Sequence, residues 1–237
     1  MHYLKTGSAK LGIELSPTQL EHFSIYYKEL IEWSQRINLT SITDPKEVQI
    51  KHFLDSLSVS SALKQPIDSR RFLDVGAGGG FPGLPLKIAF PTIKLVLLEA
   101  TAKKAVFLRH LTQKLGLNDI DLVVGRAEEF AHQAQYRQRF DFVLSRAVAQ
   151  LPVLAELTLP FCAIGGWLIA QKKGDINGEI DRATKAIETL GGGQSLVKRI
   201  ELDELSDERY LVIINKIAPT PDKYPRRPGM PTKRPIL

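Results

Sequence analysis

Cysteine is nearly absent from this chain of 237 residues: Cys162 stands alone. A single thiol excludes an internal disulfide and any cysteine-based metal site. Histidine is sparse as well. His2, His22, His52, His110 and His132 are scattered, with no HExxH motif and no pair at ligand spacing, so no metal is expected. No run of about 18 apolar residues exists, so no transmembrane helix and no membrane partner are expected. Met1 to Ser16 mixes Lys5, Lys10 and Glu14 among short apolar pairs and lacks the apolar block of a secretory signal, so a cytoplasmic location is expected. Internal repeats and low-complexity segments are missing. So are the G-x-S-x-G elbow and the P-loop, which removes two hydrolytic classes.

What the chain has is an ordinary apolar fraction of 43% and enough length for one substantial core. Its net charge is +6, and the excess is concentrated at one end. From Lys216 onward stand Lys216, Lys223, Arg226, Arg227, Lys233 and Arg234 against one acid, Asp222. This stretch reads either as a solvated tail or as a phosphate-contacting arm, with Tyr224 available to stack on a base. About five phosphate contacts there would give a log–log salt slope near roughly −3.5.

Three segments follow from the pattern. Residues 1–66 form a helical extension. Ser16 caps a helix that starts at Pro17, with Gln19 three residues after the cap and Leu20, Phe23, Tyr27, Leu30, Ile31 and Trp33 at helix spacing. Asn38 to Ser41 breaks the run. A second helix starts at Thr43 or Asp44 before Pro45 and ends at Lys64-Gln65-Pro66. Residues 67–217 alternate strands and helices: strands at 71–75, 94–99, 120–124, 140–145, 167–171, 195–202 and 210–216, helices at about 81–90 and 102–115. That implies an α/β fold, a mostly parallel sheet covered on both faces. The last two strands have no room for a crossover helix and should be antiparallel. Residues 218–237 contain six prolines and read as extended or docked coil, not helix.

The chemistry centres on Asp74-Val-Gly-Ala-Gly-Gly-Gly-Phe-Pro-Gly83, at the carboxyl end of the first strand. Glycines such as Gly76 and Gly78 let backbone approach a ligand there. The match to GxGxxG at Gly78, Gly80 and Gly83 permits a dinucleotide enzyme. Asp74 argues against it, because a carboxylate repels a pyrophosphate and attracts a ligand with positive charge. S-adenosylmethionine has a sulfonium and an ammonium and no phosphate, and Phe81 offers an apolar surface. Glu99 ends the second strand 23 residues after Gly76, a spacing at which an acid accepts from ribose hydroxyls. Ala127-Glu128 follow the third strand, either beside an adenine or as a helix cap. Arg146 ends the fourth strand, at the mouth of the site or free on the surface.

Read together, these motifs resemble the bacterial rRNA small-subunit methyltransferase G family, also called glucose-inhibited division protein B. The segments that carry the resemblance are Asn38-Leu-Thr-Ser-Ile-Thr43, Lys51-His-Phe-Leu-Asp-Ser56, the glycine loop, Phe140 to Ala149, and Thr220-Pro-Asp-Lys-Tyr-Pro-Arg-Arg227. The resemblance implies a class I, Rossmann-like seven-stranded fold with a helical amino-terminal extension. It implies transfer of a methyl group from S-adenosyl-L-methionine to N7 of a guanine in 16S rRNA, within the 30S subunit, leaving S-adenosyl-L-homocysteine. It also implies cofactor contacts at Gly76, Phe81, Glu99-Ala100-Thr101, Ala127-Glu128 and Arg146. Gly79 stands where the family often has alanine, and a glycine there is tolerated.

N7 of guanine has an in-plane lone pair and no proton, so no general base is expected. Alignment is the main task. Candidates for holding the base are Arg146, through guanine O6 or by stacking, and Asn38, His52 and Asp55, the last two at i,i+3 on a helix. The alternative for that pair is a local surface contact. A monomer is expected. Three other functions stay open at this stage: a methyltransferase for protein or a small molecule, a nicotinamide-dependent oxidoreductase, and a non-catalytic RNA-binding module.

Overall fold

The computed structural model describes residues 1–63, 66–174, 176–205 and 207–237. Its amino-terminal part is helical. α1 (His2–Lys10) turns only Leu4, Gly7 and Ser8 inward, too few apolar residues to give a period in the sequence. α2 (Pro17–Ser34) opens on the expected capping box: Ser16 Oγ accepts from Gln19 N–H and Gln19 Oε1 accepts from Ser16 N–H. A second rod follows without a break: α3 (Pro45–Val48), capped by Asp44, a π-helical turn Gln49–Leu54, α4 (Asp55–Leu57) and a 3-10 turn Ser58–Ala62. Of the boundary read at Lys64-Gln65-Pro66, the first two residues lie outside the described set.

Among the described residues, seven strands form one sheet: β1 (Arg71–Val75), β2 (Lys94–Glu99), β3 (Ile120–Val124), β4 (Phe140–Arg146), β5 (Cys162–Lys172), β6 (Gly192–Ile200) and β7 (Arg209–Lys216). Their spatial order is β3-β2-β1-β4-β5-β7-β6. β1 to β5 pair in parallel, and β7 runs antiparallel to both β5 and β6. The chain leaves β1 toward one edge and later enters β4 on its other side. That switch point opens a crevice beyond the carboxyl ends of β1 and β4. α5 (Gly83–Ala89) follows β1, α6 (Ala102–Lys114) follows β2, and α7 (Ala127–Phe130) follows β3. α8 (Leu151–Thr158) and α9 (Ile176–Thr189) flank β5.

Side-chain alternation divides the core between two faces. Phe72 joins a cluster with Leu4, Phe23, Tyr26, Leu30, Phe53 and Phe107, whereas Leu73 joins Val143, Leu154, Ala183 and Val212. The amino-terminal helices therefore share one core with the sheet. This union places the π-helical turn at the crevice.

Three local readings need correction. β5 begins at Cys162 rather than Trp167, because Gly165 and Gly166 lie within a bulge: Phe140 pairs Cys162 and Phe142 pairs Trp167, so the extra residues loop out. β6 begins three residues earlier than expected and ends at Ile200. The tail contains a short helix, α10 (Met230–Lys233), because Pro231 sits in the first turn, where a missing N–H costs nothing.

Candidate functional site

The glycine loop is a closed backbone knot. Gly76 and Ala77 N–H both donate to Leu98 O, at 2.8 and 3.2 Å, and Gly80 and Phe81 N–H donate to Ala77 O, at 2.7 and 3.1 Å. Gly78 N–H donates to Glu99 Oε2 at 2.8 Å, and Thr101 N–H donates to Glu99 Oε1 at 2.7 Å. Positive φ at Gly76, Gly78 and Gly80 makes this winding possible. A Cβ on Gly80 would lie 2.5 Å from Tyr26 Oη, whose hydroxyl donates to Gly79 O. A Cβ on Gly76 would lie 2.6 Å from Val148 Cγ2, so the loop after β4 closes on the turn after β1.

Asp74 lies beneath this loop, not on its wall. It is fully buried, and its Oδ2 accepts from Gly83 N–H at 2.8 Å. Burial lifts its pKa to about 7, and its Oδ1 has no hydrogen-bond partner. Phe81 is buried too. Its ring stacks on Tyr26 (centroids 5.4 Å apart) and on His52 (4.7 Å), and the Arg146 guanidinium lies 5.2 Å from the ring centroid.

Arg146 does not stand free at the mouth. Nη1 donates to Asp55 Oδ2 at 2.9 Å and to Lys51 O at 3.2 Å, and Nη2 donates to His52 Nδ1 at 2.7 Å. The last bond fixes the imidazole tautomer. A guanidinium only donates, so Nδ1 accepts and the ring proton sits on Nε2. Nε2–H then donates to Thr40 Oγ1 at 2.7 Å, and Thr40 Oγ1 also accepts from Ile42 N–H at 3.0 Å. Gln171 Nε2 donates to Asp55 O at 2.7 Å. His52 and Asp55 are thus buried members of one network rather than a surface pair. Their carrier is the π-helical turn, a deformation often found at functional sites, which leaves the Lys51 carbonyl to Arg146.

Burial, then the Arg146 charge, pushes the His52 pKa from 6.5 down to about 3. Burial raises the Asp55 pKa, and Arg146 and Arg209 oppose it. A depressed histidine binds fewer protons folded than unfolded, so its contribution to stability is present above pH 6.5 and fades as pH falls toward 3. Asp74 works in the opposite sense. Its raised pKa makes stability decline as pH rises from 3.8 to about 7. Comparing wild type with His52→Asn separates the two. Between pH 6.5 and 5 the wild type should lose roughly 2 kcal/mol more than the variant by urea denaturation. Parallel pH curves would contradict the neutral, buried imidazole.

The other residues singled out in the sequence fall into place unevenly. Ala100 and Thr101 are exposed at the lip beside Glu99, and Ala127 and Glu128 are buried in α7. Asn38 is exposed, and its segment reaches the site through Thr40. The tail is docked. Arg226 pairs with the fully buried Glu156 (Nη2–Oε2 2.6 Å, Nε–Oε1 2.9 Å), and its N–H donates to the same carboxylate. Arg137 donates to the Thr220, Pro221 and Tyr224 carbonyls. Lys216 is buried against Leu190 O and Thr220 Oγ1. Tyr224 is half-buried, and Gly229 N–H donates to Glu128 Oε1 at 3.1 Å. Of the six basic residues, Lys223, Arg227, Lys233 and Arg234 remain exposed. Thr40, Tyr26, Gln171 and Arg209 escaped the sequence reading. Thr40 at least lay inside a quoted motif, whereas the others had no local signal.

The fold is that of class I methyltransferases. An O-methyltransferase from Bacillus cereus, solved with SAH, aligns at TM-score 0.55 and 18% identity over 81% of this chain and 90% of that one. A SAM-dependent O-methyltransferase from Thermotoga maritima aligns at TM-score 0.54 and 16% identity over 81% and 72%. The family model for rRNA small subunit methyltransferase G, GidB, matches residues 19–207. Proteins named ribosomal RNA small subunit methyltransferase G are 53% identical in Dehalococcoides mccartyi, over the whole of both chains, and 43% identical in Desulforamulus reducens, over 98% of this chain and 97% of that one. The chain belongs to the rRNA small subunit methyltransferase G family.

Proposed function

We propose that this protein transfers a methyl group from S-adenosyl-L-methionine to N7 of a guanine in 16S rRNA, within the 30S subunit. The observation that carries the cofactor choice is the state of the glycine loop. Five of its N–H groups, from Gly76, Ala77, Gly78, Gly80 and Phe81, are already donated to protein oxygens. A diphosphate would find few free donors there, which disfavours a nicotinamide enzyme. The Glu99 carboxylate at the lip suits ribose hydroxyls and a cationic ligand, and Glu128 stands one strand further along. The residues present therefore fit an adenosyl sulfonium, with Gly76, Gly78, Glu99, Ala100, Thr101, Ala127 and Glu128 around it and Asp74 and Phe81 bracing the loop. When bound, S-adenosyl-L-methionine supplies an electrophilic methyl group and leaves as S-adenosyl-L-homocysteine.

The chain's own part is alignment. Guanine N7 needs no base to release its lone pair, and His52 is engaged on both nitrogens. Arg146 has five N–H groups and donates three of them within the protein, so two remain for guanine O6. Residues 67–217 act as the cofactor-binding body, 1–66 as the helical element that fixes Arg146, and 218–237 as a docked basic edge with Lys223, Arg227, Lys233 and Arg234 toward RNA. We place the protein in the cytoplasm as a monomer without a metal. Among the described residues, no helix is long and apolar enough to cross a membrane.

Calorimetry with S-adenosyl-L-methionine and with NAD tests the first half. Binding of NAD alone would overturn it. Transfer of labelled methyl to 30S particles, followed by nucleoside digestion, tests the second half. Label recovered as 7-methylguanosine is the expected result, and label in any other nucleoside rejects the N7 assignment.

A further inference from the structure

The connection from β3 to β4 covers residues 125–139 and holds a single turn of helix, the four residues of α7. The two crossovers before it hold longer helices, α5 with 7 residues and α6 with 13. One isolated turn is not stable by its own hydrogen bonds, because nucleating a helix costs more than so short a helix returns. Yet Glu128, the acid that the cofactor reading sets beside the ligand, belongs to that turn and is buried. Its position depends on bonds from outside α7.

The tail supplies those bonds along the whole connection. Gly229 N–H donates to Glu128 Oε1 at 3.1 Å. His132 Nε2 lies 2.8 Å from Pro225 O, and a carbonyl only accepts, so this nitrogen carries the ring proton. Arg137 clips the two segments together. Its Nη1 donates to Ala131 O in the connection at 3.0 Å and to Tyr224 O in the tail at 2.9 Å, and its Nη2 donates to Thr220 O at 2.7 Å. The Arg137 side chain is only 13% exposed, so water competes weakly for these charge-assisted bonds. Pro225 and Pro231 are buried, and Arg226 ties the same stretch of tail to Glu156 of α8.

The tail takes one oxygen of Glu128 and leaves the other. Among the described residues, no donor within the protein reaches Oε2. A carboxylate is an acceptor only, and the exocyclic amino group of an adenine is a donor. An acceptor that is already held binds more tightly than a mobile one, because its rotamer freedom is not lost again when the ligand arrives.

We propose that the tail is part of the cofactor site: Gly229 N–H is a positioning group that fixes the Glu128 carboxylate to receive the adenine amino group of S-adenosyl-L-methionine. The proposal rests on the cofactor reading above and adds to that site a group from the carboxyl-terminal segment. His132 and Arg137 act one step further out, by holding the tail against the connection. Tail docking and cofactor binding then strengthen each other by the same factor, since coupling between two sites is reciprocal.

The test uses the wild-type full chain and amide hydrogen exchange followed by NMR. Saturation with S-adenosyl-L-methionine should slow exchange at Gly229 by about tenfold or more, within the ordinary range of coupling between sites. Adenosine, which carries the adenine, should slow it too, and methionine should not. The Gly12 amide, which donates to Ala9 O at the end of α1, is the reference for local opening elsewhere and should not respond. Glu128→Gln retains an acceptor oxygen and should retain the ligand-dependent slowing. Glu128→Ala should lose it even at saturating cofactor, which a tail that merely stabilises the fold would not do. Equal exchange at Gly229 with and without bound cofactor overturns the proposal, and so does equal slowing by methionine. Both of those outcomes leave the cofactor reading standing, because the ligand is bound when they are measured. Failure of wild type to bind S-adenosyl-L-methionine at all would strike the cofactor reading itself.

Discussion

Arg146→Ala should reduce methyl transfer to 30S particles by more than about 100-fold and lower stability by roughly 3–5 kcal/mol. The two effects have one source. Among the described residues, Arg146 is the cation nearest to the buried Asp55 carboxylate, and it is the donor to His52 Nδ1. Removing it leaves Asp55 with Arg209 at 3.5 Å and leaves the imidazole lone pair without a donor. For a chain of this size the stability loss corresponds to a fall in Tm of roughly 10 °C. Arg146→Lys separates the effects. A lysine restores a charge near Asp55, but a single ammonium does not reproduce the planar fork that reaches Lys51 O, Asp55 and His52 together. Its stability should lie between wild type and alanine, while its rate stays at least about tenfold down with cofactor affinity unchanged. A lysine variant with the wild-type rate would remove Arg146 from the alignment of the base.

The second large effect belongs to the tail. Arg226→Met should cost roughly 3–5 kcal/mol, because it strands the Glu156 carboxylate, which is fully buried in α8. Glu156→Gln/Arg226→Met should recover much of that loss, since no buried charge is left unpaired. A double-mutant cycle over these two sites should therefore show a coupling above about 1 kcal/mol. Limited proteolysis should cut the Arg226→Met tail early, near the Arg137-held turn at Thr220 to Tyr224. If the single variant melts with wild type, the tail is not held by this pair. This result also bears on RNA. The sequence places almost all the excess charge in the last 22 residues. With Lys216 buried and Arg226 turned onto Glu156, four of those six cations face solvent, so the tail by itself supports a shallower salt dependence than five contacts would.

The glycine loop, the five parallel strands and the antiparallel closing pair were legible because each depends on local rules. A buried parallel strand such as Leu95 to Leu98 is a run of apolar residues, and a turn at Gly76 to Gly80 needs residues that tolerate positive φ. The capping box at Ser16 and Gln19 is equally local. The bulge in β5 was missed because glycines at 165 and 166 look the same in a turn before a strand and in a loop-out within one. Helix α1 was missed because its packing partner, the rod at 45–62, is remote in sequence.

The amino-acid order alone therefore determined the sheet, the cofactor loop and the family, since backbone preference, alternation and contiguous motifs are properties of neighbours along the chain. Tertiary structure decided what those residues do. It buried Asp74, which the sequence had offered as an acid facing the ligand, and it turned Arg226 from the basic tail onto the buried Glu156. It brought Thr40, His52, Asp55 and Arg146 into one hydrogen-bonded chain, and it laid Gly229 of the tail against Glu128 of α7. Charge pairing and desolvation depend on distance in space, and that distance is set only when the amino-terminal helices pack on the sheet.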